Sequence, residues 1–168
     1  MKRLKIMQDV VELPKDPLGM NGLQDRLKAF CREQGLKVPQ FWIIQPDGYY
    51  MSYAVSLHLN GNDRWEKFDA QVIYLLRDLS DGKNREVEKR LLEHIIEELG
   101  EPFVLTLVAE PKQLSFLNSL GLIKMPVAWS DNNQMVYEVF ARGNLEMGGF
   151  VNLMERVEYI GKEYVYTK

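Results

Sequence analysis

Apolar and polar positions change period several times along this chain of 168 residues, and each change predicts an element. Residues 4–11 are short, apolar and β-branched, and stop before Pro14 and Pro17, as a strand does. Leu23, Leu27, Phe30 and Cys31 then share one helical face, with Asn21 placed as N-cap, Gln24 three residues on and Gly35 placed to end the helix. Residues 41–44 and 51–59 flank Pro46-Asp47-Gly48 and predict an antiparallel hairpin. In its second arm Met51, Tyr53, Val55, Leu57 and Leu59 alternate with Ser52, Ala54, Ser56 and His58, so His58 is either exposed or lines a cleft.

Residues 60–63, Asn-Gly-Asn-Asp, predict the next turn, and 70–76 a strand apolar on both faces, as in the middle of a covered sheet. Val87, Leu91, Leu92, Ile95, Ile96 and Leu99 repeat at helical spacing up to Gly100. A second near-continuous strand follows at 102–108. Strand, helix, strand in this order predicts a parallel pair joined by a right-handed crossover. Pro111 opens a short helix with Leu114, Leu117 and Leu120 inward and Gly121 as its stop. Residues 122–129 and 134–140 form a further hairpin around Ser130-Asp131-Asn132-Asn133. Past Gly143, Phe150, Leu153, Met154 and Val157 keep helical spacing, whereas Tyr159, Tyr164 and Tyr166 fit neither helix nor strand. The pattern predicts an α/β domain over 1–142 and an extension, 143–168, that packs on the domain or on a protein partner.

Composition narrows the function classes. With 46% hydrophobic and 27% charged residues the chain has enough apolar material for one core. No window approaches the ~18 apolar residues of a membrane span, and the first residues turn acidic before a signal-like segment builds up, so a soluble, cytoplasmic protein is expected. Lys plus Arg number 21 against 24 Asp plus Glu, a net charge of -3, which gives no global field for nucleic acid. The basic residues Lys83, Arg85, Lys89 and Arg90 are interleaved with glutamates, as on a solvated helix face. One cysteine and two histidines support neither an internal disulfide nor a structural zinc site, and no metal is expected. The glycine-rich nucleotide loops and the serine elbow are missing too.

The order of elements, with the segment Leu114-Ser115-Phe116-Leu117-Asn118-Ser119-Leu120-Gly121-Leu122 after a strand leading to Ala109, resembles the GCN5-related N-acetyltransferases. The resemblance is best over 71–122, extends to about 4–142, and leaves 143–168 without a counterpart. It implies a mixed central sheet flanked by helices, in which strands 70–76 and 103–108 run parallel and splay to open a cleft. It also implies that backbone near Leu76 orients an acyl group, and that Asn84, Arg85, Glu86 and Val87 lie where the family cradles the coenzyme A pyrophosphate. Asn84, Glu86 and Glu88 stand where the family has glycine. A carboxylate about 4 Å from a phosphate repels it by roughly 1 to 4 kcal/mol, against the ~0.3 to 1 kcal/mol a helix end gives an anion. Glu86 and Glu88 are then expected to stabilise the helix start themselves, while Lys83, Arg85 and Lys89 offset part of the repulsion. Leu117 matches the position of a tyrosine that protonates the leaving thiolate in many members, and an aliphatic chain has no proton to give. Glu66 and Asp69, with Asp78 beyond them, are the carboxylates available as a base.

The Phe-Leu and Leu-Gly of the same segment are also similar to small acetyltransferase-like proteins of short-tailed bacteriophages, some of them internal virion proteins. Three readings stay open. One is an acetyltransferase-fold protein with a degraded acyl-CoA site and no cofactor, acting as a structural or host-interaction protein in a virion or host cytoplasm, with 143–168 as contact surface. The second is an active N-acetyltransferase that uses acetyl-CoA and an amine. The third is a module for another small ligand in the same cleft.

Overall fold

The glycines placed as helix stops are where the backbone turns left-handed. Gly35, Gly100 and Gly121 have φ of 69°, 71° and 80°, values that cost a residue with a Cβ. They close α1 (Met20–Gln34), α2 (Arg85–Leu99) and α3 (Leu114–Ser119). A computed structural model describes residues 6–8, 20–44, 52–62, 67–76, 85–108, 114–131, 134–145 and 147–166. Asn21 is not a cap, because α1 already includes Met20. The turn expected at 46–48 lies outside the described residues.

The strands are β1 (Ile6–Gln8), β2 (Gln40–Ile44), β3 (Ser52–Asn62), β4 (Lys67–Leu76), β5 (Phe103–Leu107), β6 (Ile123–Ser130) and β7 (Val136–Arg142). They form one seven-stranded sheet in the order β1-β2-β3-β4-β5-β7-β6. Every neighbouring pair is antiparallel except β4 and β5, which run parallel with Gln71 opposite Phe103 and Tyr74 opposite Thr106. The mixed α/β sheet with a parallel central pair is the fold expected from the order of elements. Residues 60–62 depart from expectation: they continue β3, paired with Asp69, Phe68 and Lys67, because the long antiparallel ladder with β4 outweighs the local turn chemistry. In the last hairpin the left-handed residue is Gln134, with φ of 66°, while Asn132 and Asn133 lie outside the described residues.

Alternation along the strands divides the core into two layers. Phe68, Ala70, Val72, Tyr74 and Leu76 of β4 point to one face, with Leu23, Leu27, Phe30 and Cys31 of α1. Ile73 and Leu75 point to the other, against Leu91, Leu92 and Ile95 of α2 and Leu117 of α3. The first face is completed by α4 (Met147–Ile160), which buries Leu153, Val157 and Ile160, and by a π-helical turn, Gly161–Val165, which buries Val165. Residues 147–166 thus belong to the same core as the sheet. Arg142 ties the α2–β5 side to the α3 end: its Nε donates to Glu101 Oε1 at 2.6 Å and a guanidinium NH to the Leu120 carbonyl at 3.0 Å.

Gly149 sets how closely α4 approaches β4, since a Cβ there would run into the Lys67 carbonyl, a backbone group that cannot swing aside. Gly149→Ala should therefore lower stability by about 3 kcal/mol, at the upper end of overpacking costs. Gly35→Ala meets no atom within 4 Å and should cost only the left-handed strain, about 1 kcal/mol. Urea midpoints of the two variants check the ranking.

Candidate functional site

Register between β4 and β5 ends at Tyr74 and Thr106, yet β4 continues to Leu76 and β5 to Leu107. The pair therefore parts at its C-terminal end, where backbone polar groups need other partners. The Leu75 carbonyl has one: the Tyr166 hydroxyl donates to it at 2.8 Å, across 91 residues of sequence.

A cluster of aromatic rings holds Tyr166 in that position. Its ring stacks on Tyr137 with centroids 4.2 Å apart, Tyr137 stacks on Trp129 at 4.3 Å, and Tyr74 meets Tyr166 edge-on at 6.1 Å. These are the offset and edge arrangements that ring quadrupoles favour. Each wall carries a satisfied polar group. Trp129 Nε1 donates to Thr106 Oγ1 at 2.9 Å, the Tyr137 hydroxyl to Asp131 Oδ2 at 2.8 Å, and the Tyr74 hydroxyl to the Val157 carbonyl of α4 at 2.8 Å. Asp131 also accepts the Met135 amide at 2.9 Å, which fixes the β6–β7 turn beneath Tyr137. Gly161 packs flat on Trp129, where a Cβ would overlap the indole.

Two further contacts fasten the segment that carries Tyr166. Arg26 of α1 donates to the Tyr164 carbonyl at 3.3 Å, a cation at the end of a helical run where the carbonyls point out. Phe30 and Tyr164 lie 4.6 Å apart, and Tyr159 touches Tyr164 edge-on at 6.0 Å. The Tyr166 amide donates to the Gly161 carbonyl at 2.8 Å, a bond five residues back. That spacing explains why Tyr159, Tyr164 and Tyr166 match neither common period: the chain winds there as a π-helix.

The residues singled out in the sequence fall in several places. Leu76 ends β4 at the opening and is buried. Arg85, Glu86 and Val87 form the first turn of α2, while Glu66, Asp78, Lys83 and Asn84 lie outside the described residues. Glu88, expected to stabilise the helix start, is buried, 7% exposed, and engaged with a partner. Asp69 is exposed near the start of β4 and paired with His58 across the strands. It lies seven residues from Leu76, about 23 Å along a strand, so Asp69 and the opening do not share one centre. Leu117 is 1% exposed and packs in the layer with α2, far from a leaving-group role. Cys31 is in the core, as its helical face predicts. No group of three His, Cys, Asp or Glu among the described residues is arranged to hold a metal ion, and no described helix is long and apolar enough to cross a membrane.

No family model matches the sequence, and no curated protein does. Several solved structures are similar in chain course. ElaA of Escherichia coli is 16% identical with a TM-score of 0.46 over 85% of this chain and 100% of its own. An acyl-CoA N-acyltransferase from Pseudomonas aeruginosa is 15% identical with a TM-score of 0.44 over 84% of this chain and 100% of its own. FeeM, an N-acyl amino acid synthase from uncultured soil microbes, is 8% identical with a TM-score of 0.42 over 84% of this chain and 91% of its own. At these identities and TM-scores none of them assigns a role to a residue here.

Burial suppresses the ionisation of the phenols around the opening. Tyr74 and Tyr166 are held well above the usual value of 10.0, first by burial, and Tyr137 by burial and then by its bond to the Asp131 carboxylate. A raised folded-state value means that the neutral phenol is favoured by folding. The stability it contributes is present below pH 10 and is lost as pH rises from there toward the folded value. Cys31, pushed from 9.0 to about 11 by burial, adds a loss of the same sign beginning near pH 9. Denaturant midpoints should stay flat up to about pH 9 and fall above it, and Tyr137→Phe should make the decline above pH 10 shallower.

Proposed function

We propose that this chain is an acetyltransferase-fold protein that acts by binding rather than by acyl transfer, with no acyl-CoA cofactor of its own. The observation that carries the reading is Tyr166: its hydroxyl takes the Leu75 carbonyl where β4 and β5 part, and its ring fills the space between Tyr74 and Tyr137. An acyl-pantetheine arm laid against the end of β4 would need that same space, and its amide N–H groups would compete with the Tyr166 hydroxyl for that carbonyl. Leu117, aliphatic and in the core, supports the reading by offering no proton donor. The sequence supports it as well, since Glu86 and Glu88 stand where the resembled family has glycine to admit a pyrophosphate.

In this reading the protein is a structural or host-interaction component, with 143–168 contributing to the contact surface. The likeness of segment 114–122 to short-tailed phage proteins supports a virion or host cytoplasm as its setting. The alternative, an active N-acetyltransferase using acetyl-CoA with Glu66 or Asp69 as base, requires Tyr166 to leave its position first, and for Asp69 it also has to bridge about 23 Å along β4 to the opening.

Thermal unfolding and calorimetric titration of the intact chain with acetyl-CoA, with coenzyme A and a nucleotide as controls, test this. The expected result is no heat and no shift at millimolar ligand. Binding at ~100 times the dissociation constant would add about 2.7 kcal/mol and raise the midpoint by roughly 5 to 10 °C at this size, and that outcome would overturn the binding-only reading.

A further inference from the structure

The walls of the opening and its filling differ in kind. Tyr74, Trp129 and Tyr137 are 0%, 4% and 5% exposed, and their polar atoms bond to Val157, Thr106 and Asp131, none of which belongs to residues 162–166. Tyr166 keeps part of its surface in solvent while its hydroxyl end is enclosed. Lifting 162–166 away would leave the wall hydrogen bonds in place and would strand the Leu75 carbonyl and the Gly161 carbonyl that accepts the Tyr166 amide.

Beyond the Tyr166 contacts, 162–166 is held by Lys162 Nζ donating to Glu158 Oε1 at 2.7 Å within the same helical run, by Phe30 against Tyr164, and by Arg26 of α1. Arg26 reaches Tyr164 by one long bond of 3.3 Å, and Arg26 Nε is enclosed with no hydrogen-bond partner. The backbone from Gly161 to Val165 is π-helical, a rare geometry that is frequent at functional sites. Val165 is the buried aliphatic side chain that would leave with the segment, whereas Ile160 and Gly161 are anchored under Trp129 and in the core. The geometry supplies a hinge just after Gly161.

We propose that residues 162–166 are an autoinhibitory plug: Tyr166 fills in cis a slot between β4 and β5 that accepts a flat ring bearing a hydrogen-bond donor, such as the tyrosine side chain of a partner, once the segment swings out about Gly161. This deepens the binding-only reading and rests on it, since the slot is the same opening. The ligand class follows from what the slot presents. Tyr74, Trp129 and Tyr137 supply aromatic surface for a ring, and the Leu75 carbonyl demands an O–H or N–H at its far end.

Native-state hydrogen exchange on the intact chain tests release directly. The Tyr166 amide, bonded to the Gly161 carbonyl, should exchange at least 100-fold faster than the amides of β4, at a rate insensitive to low denaturant, as a local opening does. Exchange of Tyr166 at the rate and denaturant dependence of β4 would make the segment a fixed part of the core and overturn the plug. The slot itself is probed with Tyr166→Ala and p-cresol, which is the missing side chain as a free molecule. The variant should bind p-cresol at least tenfold more tightly than the intact chain does, and at least tenfold more tightly than it binds toluene, which lacks the hydroxyl. Equal binding of p-cresol by a folded variant and the intact chain would overturn the slot. Should the variant fail to fold, the exchange experiment on the intact chain still decides. Acetyl-CoA binding to the intact chain would overturn the functional reading alone, whereas co-exchange of Tyr166 with β4 would overturn the plug alone.

Discussion

A parallel strand pair that parts before its strands end must find new partners for the backbone groups it leaves behind. Here that requirement falls on the Leu75 carbonyl, and leaving such a group enclosed and unmet costs about 1 to 3 kcal/mol. The phenol of Tyr166 meets it. Much of the architecture of that face follows. For Tyr166 to arrive, α4 must cross the start of β4 closely enough to need Gly149, and its end must be pinned by the Tyr74 hydroxyl on the Val157 carbonyl. The chain must then tighten its path past Trp129 at Gly161, and α1 must offer Arg26 to the Tyr164 carbonyl near the end of the turn.

The two faces of the sheet differ in how much polar chemistry they bury. On the α2 and α3 side the contacts are mostly interlocking aliphatic and aromatic groups, with Trp42 Nε1 donating to Ser56 Oγ at 3.0 Å and Lys89 lying over Phe116 at 5.2 Å as the polar edge. On the α1 and α4 side, buried hydroxyl and indole groups each reach a specific acceptor. The carboxylate nearest those rings, Asp131, is already committed to the Tyr137 hydroxyl and a turn amide. The histidine and carboxylate that do pair in the open, His58 and Asp69, stand near the other end of β4. Among the described residues, what the opening presents is shape, ring surface and one acceptor.

Much of this was legible in the sequence, for identifiable reasons. Helix stops were readable because a left-handed residue is a local demand that glycine answers, at Gly35, Gly100 and Gly121 alike. The parallel pair was readable because strands covered on both faces become near-continuous apolar runs, as at 70–76 and 103–107. Boundaries set by pairing were not. Asn60, Gly61 and Asn62 have turn chemistry, and only the ten-position ladder from Tyr53 with Leu76 to Asn62 with Lys67 makes them strand. The parting of the two strands was expected from the resemblance, but its aromatic lining was hidden for another reason. Trp129, Tyr137 and Tyr74 sit on separate strands and read singly as core aromatics, and the tyrosine that unites them belongs to a π-helical turn whose five-residue step, Tyr159 to Tyr164, was visible but matched no common period.

The segment that covers the α1 face carries a consequence for how the protein is made. Its contacts with the sheet and with α1 join residues 91 and 138 positions apart, so they form late, after loops of great length have closed. Residues 147–166 also leave the ribosome after every strand they cover. Until they dock, Tyr74, Trp129 and Tyr137 and the parted ends of β4 and β5 are exposed on an otherwise assembled sheet, open to the same segment of a neighbouring nascent chain. Crowded synthesis on one messenger would then favour exchange of this segment between copies, and slow passage of the ribosome through its codons would lengthen the interval in which such exchange competes with self-closure.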